Sequence, residues 1–127
     1  MARATTPFSG ITVLDFSRYL PGGYATQVLA DLGATVIKCE DTGAGDFMRH
    51  DYPTMGNGIS YYITALGRNK KSVSLNLKDQ EVVDWFLKMA KEADVIVESF
   101  RPGVTKKLGI DYETINKINP RITVSYT

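Results

Sequence analysis

Cysteine and histidine are almost missing from this chain: Cys39 and His50 are the only examples of each among 127 residues. A single cysteine cannot close an internal disulfide, so no framework of the small secreted kind holds the fold. Cys39 falls in an apolar strand pattern, where a small core residue is expected rather than a nucleophile. One histidine without cysteines at ligand spacing excludes the common zinc constellations, so no metal site is expected and His50 is read as a surface residue. Charge of one sign is also lacking. Lys and Arg number 15 against 14 for Asp and Glu, a net charge of +1, and this balance gives no global pull toward nucleic acid or an anionic membrane. No apolar run reaches the ~20 residues that span a bilayer, and Met1 to Gly10 lacks the apolar core of a secretory signal. The expectation is a cytoplasmic protein, with an organellar matrix as the other reading, and with neither nucleic acid nor membrane as a partner.

What is present is ordinary globular material, 43% apolar and 23% charged, in a length that suits one domain. Ile11 to Phe16 reads as a strand. Pro21 suits a first helical turn, and a helix from Pro21 to Leu32 would align Tyr24, Ala25, Val28, Leu29 and Leu32 as its inward stripe before Gly33 ends it. Thr35 to Cys39 reads as a second strand, followed by a polar stretch from Asp41 to Gly58 that carries Gly43, Gly45, Pro53 and Gly56. Ile59 to Leu66 fits either a short helix or a strand. Ser72 to Leu77 alternates Val73, Leu75 and Leu77 with polar residues, the period of a strand. Asp79 is expected to cap a helix whose apolar positions are Val82, Val83, Phe86, Leu87, Ala90 and Ala93. Val95 to Val97 is a buried-strand run, and the Arg101-Pro102-Gly103 turn leads to a short helix toward Leu108. A helix over 111–118 and a strand from Ile122 toward Tyr126 follow. The alternation predicts an α/β fold, a Rossmann-like parallel sheet with helices on both faces. Because the pattern is still that of a strand at Thr127, the chain is expected to be a segment of a longer protein.

The first strand-to-helix turn, Ser17-Arg18-Tyr19-Leu20-Pro21-Gly22-Gly23, either places free amides at a helix start, where anions bind, or is simply a tight connection. A dinucleotide site is the rival from sequence alone, since Glu40 lies roughly 18 residues beyond Gly22, close to the ~20 expected of a ribose-binding carboxylate. Against it, the turn reads Pro-Gly-Gly-Tyr-Ala-Thr and lacks the third glycine. Asp15 and Asp31 are candidates for satisfied buried carboxylates, and nothing in the sequence pairs them as acid and base. Arg68, Lys70 and Lys71 form one basic cluster and Lys106 with Lys107 another. Each is either a solvated surface or a phosphate contact.

Gly10 to Glu40, together with Gly45-Asp46-Phe47-Met48-Arg49, Asn69 to Lys78, Ala93 to Gly103, Leu108-Gly109 and Asn119-Pro120-Arg121, resembles the amino-terminal part of the family III CoA-transferases in order and spacing. That group includes formyl-CoA transferase, carnitine CoA-transferase and the α-methylacyl-CoA racemases. The resemblance implies coenzyme A or acyl-CoA as substrate with no permanently bound cofactor, a small carboxylic acid as co-substrate, and a homodimer of interlocked chains. It implies transfer of CoA from an acyl-CoA to a free acid through an aspartyl-CoA intermediate, with acyl-CoA racemase or a non-catalytic CoA-binding module as alternatives. The family's aspartate falls beyond Thr127, so no catalytic residue is expected in this chain. Residue by residue, the resemblance puts Arg18, Tyr19, Leu20 and Pro21 beside the thioester. Leu75, Asn76, Leu77 and Lys78 fall on the adenine side, with Ser99, Phe100 and Arg101 on the matching turn. Lys107 stands where an arginine commonly reaches phosphate, and loses the bidentate fork. Asp41 occupies a position that is cationic in formyl-CoA transferase, and Ser99 one that is often asparagine.

Overall fold

The computed structural model describes residues 6–126. Its elements in chain order are β1 (Thr12–Phe16), α1 (Tyr19–Asp31), β2 (Thr35–Glu40), a 3-10 turn (Phe47–Arg49), α2 (Tyr61–Leu66), β3 (Lys70–Ser74), α3 (Gln80–Glu92), β4 (Val95–Glu98), α4 (Val104–Lys107), α5 (Tyr112–Ile118) and β5 (Thr123–Tyr126). The five strands form one sheet in the order β3-β2-β1-β4-β5, and every pairing is parallel. Strand order reverses between β1 and β4, the position at which open α/β sheets offer a crevice beyond the strand carboxyl ends. Among the described residues no helix is long and apolar enough to cross a membrane.

Successive strand side chains point to opposite faces. Leu14 and Phe16 therefore join Phe86, Ala90, Ile96 and Ile115 in the larger core cluster, in which Phe16 meets Phe86 edge to face at 5.0 Å. The α3 helix supplies that packing from the expected positions: Val83, Phe86, Ala90 and Ala93 are buried and Val82 and Leu87 partly so. Asp79 caps it by accepting from the Glu81 amide at 3.0 Å. The segment with two readings, Ile59 to Leu66, forms the short helix α2, capped by Ser60 through the Tyr62 amide.

The opposite sheet face departs from expectation. Helix α1 begins at Tyr19, and its inward residues are Gly22, Gly23, Thr26, Gln27 and Ala30. Of the stripe predicted to face the sheet, Tyr24, Ala25, Val28 and Leu32 are exposed and Leu29 half-buried, with Tyr24 60% exposed. The cause lies in the sheet beneath: Asp15 and Lys38 are register partners, and Lys70 aligns with Val36 on that same face. The part of the face that carries these charges selects small and hydrogen-bonding partners, while Val13, Val36 and Val97 pack on Ala30 and Ala34 beside it. Gly23 shows how close the approach is, because a Cβ there would meet the Met48 methyl at 3.1 Å.

Strand β3 is likewise displaced, running from Lys70 to Ser74, so Leu75 to Lys78 form the turn that follows it rather than strand. The Leu75 amide donates to Glu40 O at 2.7 Å and the Asp79 amide to Asn76 O at 2.9 Å. Lys70 also corrects the reading of its basic cluster as a solvated or phosphate-binding group. Its side chain is 3% exposed, with Nζ 3.2 Å from Asp15 Oδ2. It also donates to Gly23 O at 2.9 Å and Thr26 Oγ1 at 2.7 Å.

Asp15 is fully buried and accepts from the Ser17 amide at 2.9 Å and from Thr26 Oγ1 at 2.6 Å. Truncating one partner of such a cluster leaves an uncompensated buried charge, so Asp15→Ala is expected to lower unfolding free energy by about 3–5 kcal/mol. Urea titration of both proteins checks this, and a loss below about 1 kcal/mol, the worth of a surface pair, would show that the cluster contributes little.

Candidate functional site

Beyond the carboxyl ends of β1, β2 and β3 lies a cleft of about 160 Å³. Phe16, Leu75, Leu77, Phe100 and Leu108 supply its apolar walls, and Arg18, Glu40, Asp41, Asn76 and Lys78 its polar ones. All but Leu108, which follows α4, come from a strand's last residue or the turn after it: 16–18 at the end of β1, 40–41 at the end of β2, 75–78 after β3 and Phe100 after β4. A separate hollow of about 350 Å³ is lined by Tyr19, Leu20, Met48, Asp51, Tyr52 and Tyr62.

The structure therefore divides the sequence-derived residues. It gathers Arg18, Leu75, Asn76, Leu77, Lys78 and Phe100 around one cleft, while Tyr19 and Leu20 face the second hollow. Pro21 is exposed in the first turn of α1. Ser99 ties two turns together, its Oγ accepting from the Arg18 amide at 2.9 Å. Arg101 is exposed on the turn before α4, and Lys107 is exposed at the end of that helix, next to the cleft residue Leu108. Sequence reasoning alone does not single out Phe16 and Leu108. The signal for Phe16 was its place as the last residue of the first strand, since that is where such sheets bind ligands.

The Arg18 turn is held from several sides. The Arg18 guanidinium lies 2.9 Å from Asp41 Oδ2 and sits over the Phe47 ring at 5.1 Å. Tyr19 stacks on Phe47 at 5.5 Å and carries φ 61°, a left-handed conformation that costs a residue with a Cβ about 1–2 kcal/mol. Asp46 secures the segment around it: Oδ1 accepts from the Met48 amide at 3.0 Å and the Tyr19 amide at 3.4 Å. Its Oδ2 is 2.7 Å from Lys38 Nζ in an ion pair whose angle lies outside hydrogen-bond geometry. Lys38 Nζ in turn donates to Ser17 O.

Glu40 borders the cleft with both oxygens engaged. Arg49 grips it through Nε at 2.6 Å and Nη2 at 2.5 Å, and Ser72 Oγ and the Asp46 amide add bonds at 2.9 Å each. The Arg49 bond above all holds its carboxyl down at about 2. A carboxylate so committed does not offer itself to a ribose, which removes the remaining support for a dinucleotide site. The Cys39 thiol is pushed up to about 12, first by burial and then by the Asp15 charge, in keeping with a core residue. His50 is exposed, its Nε2 3.0 Å from Ala44 O. Among the described residues no group of three or more His, Cys, Asp or Glu is placed to hold a metal.

The model of CoA-transferase family III matches residues 8–126. The chain belongs to CoA-transferase family III. Relatives within the family include acetyl-CoA:oxalate CoA-transferase of Acetobacter aceti, 45% identical over 95% of this chain and 31% of that protein. Succinyl-CoA:glutarate CoA-transferase of Mus musculus is 44% identical over 91% of this chain and 27% of its own length. Among solved structures, a CAIB/BAIF family protein from Brucella suis superposes with a TM-score of 0.88 at 34% identity, covering 96% of this chain and 33% of that one. The hypothetical protein Rv3272 of Mycobacterium tuberculosis gives 0.86 at 36%, covering 95% and 33%. This family III chain thus spans about a third of the length of the proteins it matches.

Two outcomes follow for this site. Because Glu40 titrates lower folded than the ordinary 4.5, its stabilisation is complete above that value and is lost as pH falls from about 4.5 toward about 2. Urea midpoints measured across this window should fall more steeply for the wild-type chain than for Glu40→Gln, and parallel curves would show that the Arg49 pair contributes nothing there. Cys39 should resist iodoacetamide in the folded chain at pH about 8 and react only in denaturant, because the thiolate is the nucleophile. Equal labelling rates in both states would contradict its burial.

Proposed function

We propose that this chain is the CoA-binding segment of a CoA-transferase, and that its cleft receives the nucleotide end of a CoA thioester. The observation that carries this reading is the meeting of Arg18, Leu75, Asn76, Leu77, Lys78 and Phe100, drawn from three separate turns, around one partly apolar hollow. At about 160 Å³ it is smaller than the ~300–1,000 Å³ of a whole small-molecule site, so it suits one portion of CoA. An aromatic and aliphatic lining favours the flat adenine base. Arg18 and Lys78 at the cleft, with Arg101 on the exposed turn before α4 and Lys107 exposed at the end of that helix, supply cations for the phosphates. The second hollow, with Tyr19 and Leu20, is proposed to take the thioester end.

In the intact protein the reading is transfer of CoA between two carboxylic acids. An enzyme aspartate attacks the thioester carbonyl to form a mixed anhydride, and CoA thiolate leaves. The thiolate then attacks the aspartyl carbonyl, releasing the first acid and leaving an enzyme-CoA thioester. The acceptor acid repeats these steps in reverse. We assign no catalytic residue to this chain: Asp15 is fully buried and already bound to Lys70, Thr26 and Ser17, which leaves it no access to a thioester. Transfer is preferred to racemisation because the relatives named above are transferases. We also propose that the intact protein is a homodimer. Tyr61 and Tyr62 are exposed on α2 and Tyr126 on β5, and both an apolar patch and a sheet edge of this kind favour a covering partner.

Calorimetric titration is expected to show CoA binding this chain more tightly than pantetheine, which has the acyl-side arm but no nucleotide. The affinity should weaken as salt rises through about 0.01 to 0.15 M, as screening shortens the reach of the cations. Lys107→Ala should weaken CoA about 2–5-fold and dephospho-CoA less, the scale of an exposed ion pair. Equal affinities for CoA and pantetheine would overturn the nucleotide assignment, and equal losses for CoA and dephospho-CoA would remove Lys107 from the 3′-phosphate.

A further inference from the structure

Arg18 is a cleft residue whose charge is already answered. Its Nη2 donates to Asp41 Oδ2 at 2.9 Å, and both side chains line the same cleft. The pair is monodentate, so among the described residues the guanidinium uses one of its five N–H donors in a hydrogen bond. It is also wet, with side-chain exposures of 34% for Arg18 and 41% for Asp41, and a solvated pair opens at little cost. The two partners are anchored independently of each other. The Arg18 amide is held by Ser99 Oγ and its guanidinium rests over Phe47. Asp41 Oδ1 accepts from the Gly43 amide at 2.8 Å, and its carbonyl accepts from Ser74 Oγ at 3.2 Å. Breaking the ion pair therefore leaves both residues in place.

We propose that Asp41 is an affinity-setting residue of the cleft: its carboxylate holds Arg18 until a ligand phosphate takes the guanidinium over. The inference rests on the CoA reading of the site and adds to it a reason for a carboxylate where an anion must bind. A phosphate presents two oxygens to the guanidinium fork, so exchange replaces one charge-assisted bond by a bidentate pair. A neutral ligand cannot make that exchange and leaves the pair closed. An anion that takes the guanidinium has to outcompete Asp41, which lowers its affinity by the cost of opening the pair. Asp41 thus lowers affinity for every ligand that takes Arg18 and leaves that of a neutral ligand unchanged.

The test is a binding cycle on the full chain with Asp41→Asn, Arg18→Met and the double variant, each first shown by urea midpoint to fold as the parent does. The ligands are CoA, dephospho-CoA, pantetheine and acetate. Asp41→Asn is expected to tighten CoA and dephospho-CoA about 3–10-fold, the scale of one freed charge-assisted bond, and to leave pantetheine unchanged. Acetate should gain by a similar factor where it takes the guanidinium, because the cost of opening the pair is the same for every such ligand. In the Arg18→Met background the gain from Asp41→Asn should shrink to under about 2-fold, since the released group is the guanidinium. A gain confined to CoA would assign the contact to the 3′-phosphate, and one shared with dephospho-CoA to the diphosphate. Weaker CoA binding by Asp41→Asn would mean that Asp41 only orients Arg18, and an undiminished gain in Arg18→Met would mean simple repulsion of the ligand by Asp41. Either result overturns the proposal while leaving CoA binding intact. Failure of the parent chain to bind CoA at all would instead remove the functional reading and this inference with it.

Discussion

The carboxylate of Asp15 is the constraint on which the rest of the molecule is arranged. It lies in the central strand of the sheet with no exposure to solvent, where an unpaired charge would cost several kcal/mol. Its partners come from elements far apart in sequence: Thr26 from α1, Lys70 from β3 and Ser17 from the turn between β1 and α1. Lys38 stands 3.8 Å away and reaches on to Asp46. Two ammonium groups and two carboxylates thus balance within one face. Burial nevertheless holds the Lys70 ammonium below the ordinary lysine range, although Asp15 pulls it the other way. The cluster is therefore better understood as fixing one arrangement of strand, helix and turn than as a large net source of stability.

A charged patch on a sheet face dictates what can lie on it. Helix α1 meets it with Gly22, Gly23, Thr26, Gln27 and Ala30, residues small enough for close approach or able to hydrogen-bond. Its apolar positions are then necessarily turned outward, where Leu20, Tyr24, Val28 and Leu32 stand exposed. The larger core on the other face follows the ordinary rule, with Phe86, Leu14 and Ile115 almost without solvent contact. The two faces of this sheet thus pack differently where Asp15 lies, although Val13, Val36 and Val97 give the α1 face a smaller apolar cluster of its own, and the alternation of Leu14 and Asp15 on β1 separates the two.

That contrast marks what the sequence made legible. Periodicity found α3 with its cap and its buried positions, because α3 packs apolar residues on an apolar face. The same reasoning misassigned the inward side of α1, since hydrophobic spacing carries no information about a polar surface contributed by β2 and β3. Lys70 looked like part of a surface cluster for a related reason: its burial depends on Asp15, 55 residues away. The parallel α/β architecture was readable because the alternation of strand and helix is local. Of the site, the turn residues Arg18, Leu75 to Lys78 and Phe100 do converge. Tyr19 and Leu20 are carried to a different hollow by the left-handed turn at Tyr19, which no residue type announced.

The carboxylates near the cleft differ in what could release them, and this orders the site physically. Asp15 and Asp46 are sealed and answered by buried ammonium groups. Glu40 is almost equally enclosed and is gripped by the two-point contact with Arg49. Asp41 alone among these four combines substantial exposure with a single-point contact to its arginine. Opening the first three would strand charge in a poorly solvated interior, where Coulomb energies are several-fold larger than in water. Opening the fourth returns two half-solvated groups to a medium that screens them. A scaffold of rigid ion pairs thus surrounds one labile pair at the cleft, so an arriving anion meets a surface that can answer it at one place without loosening the turns that form its walls.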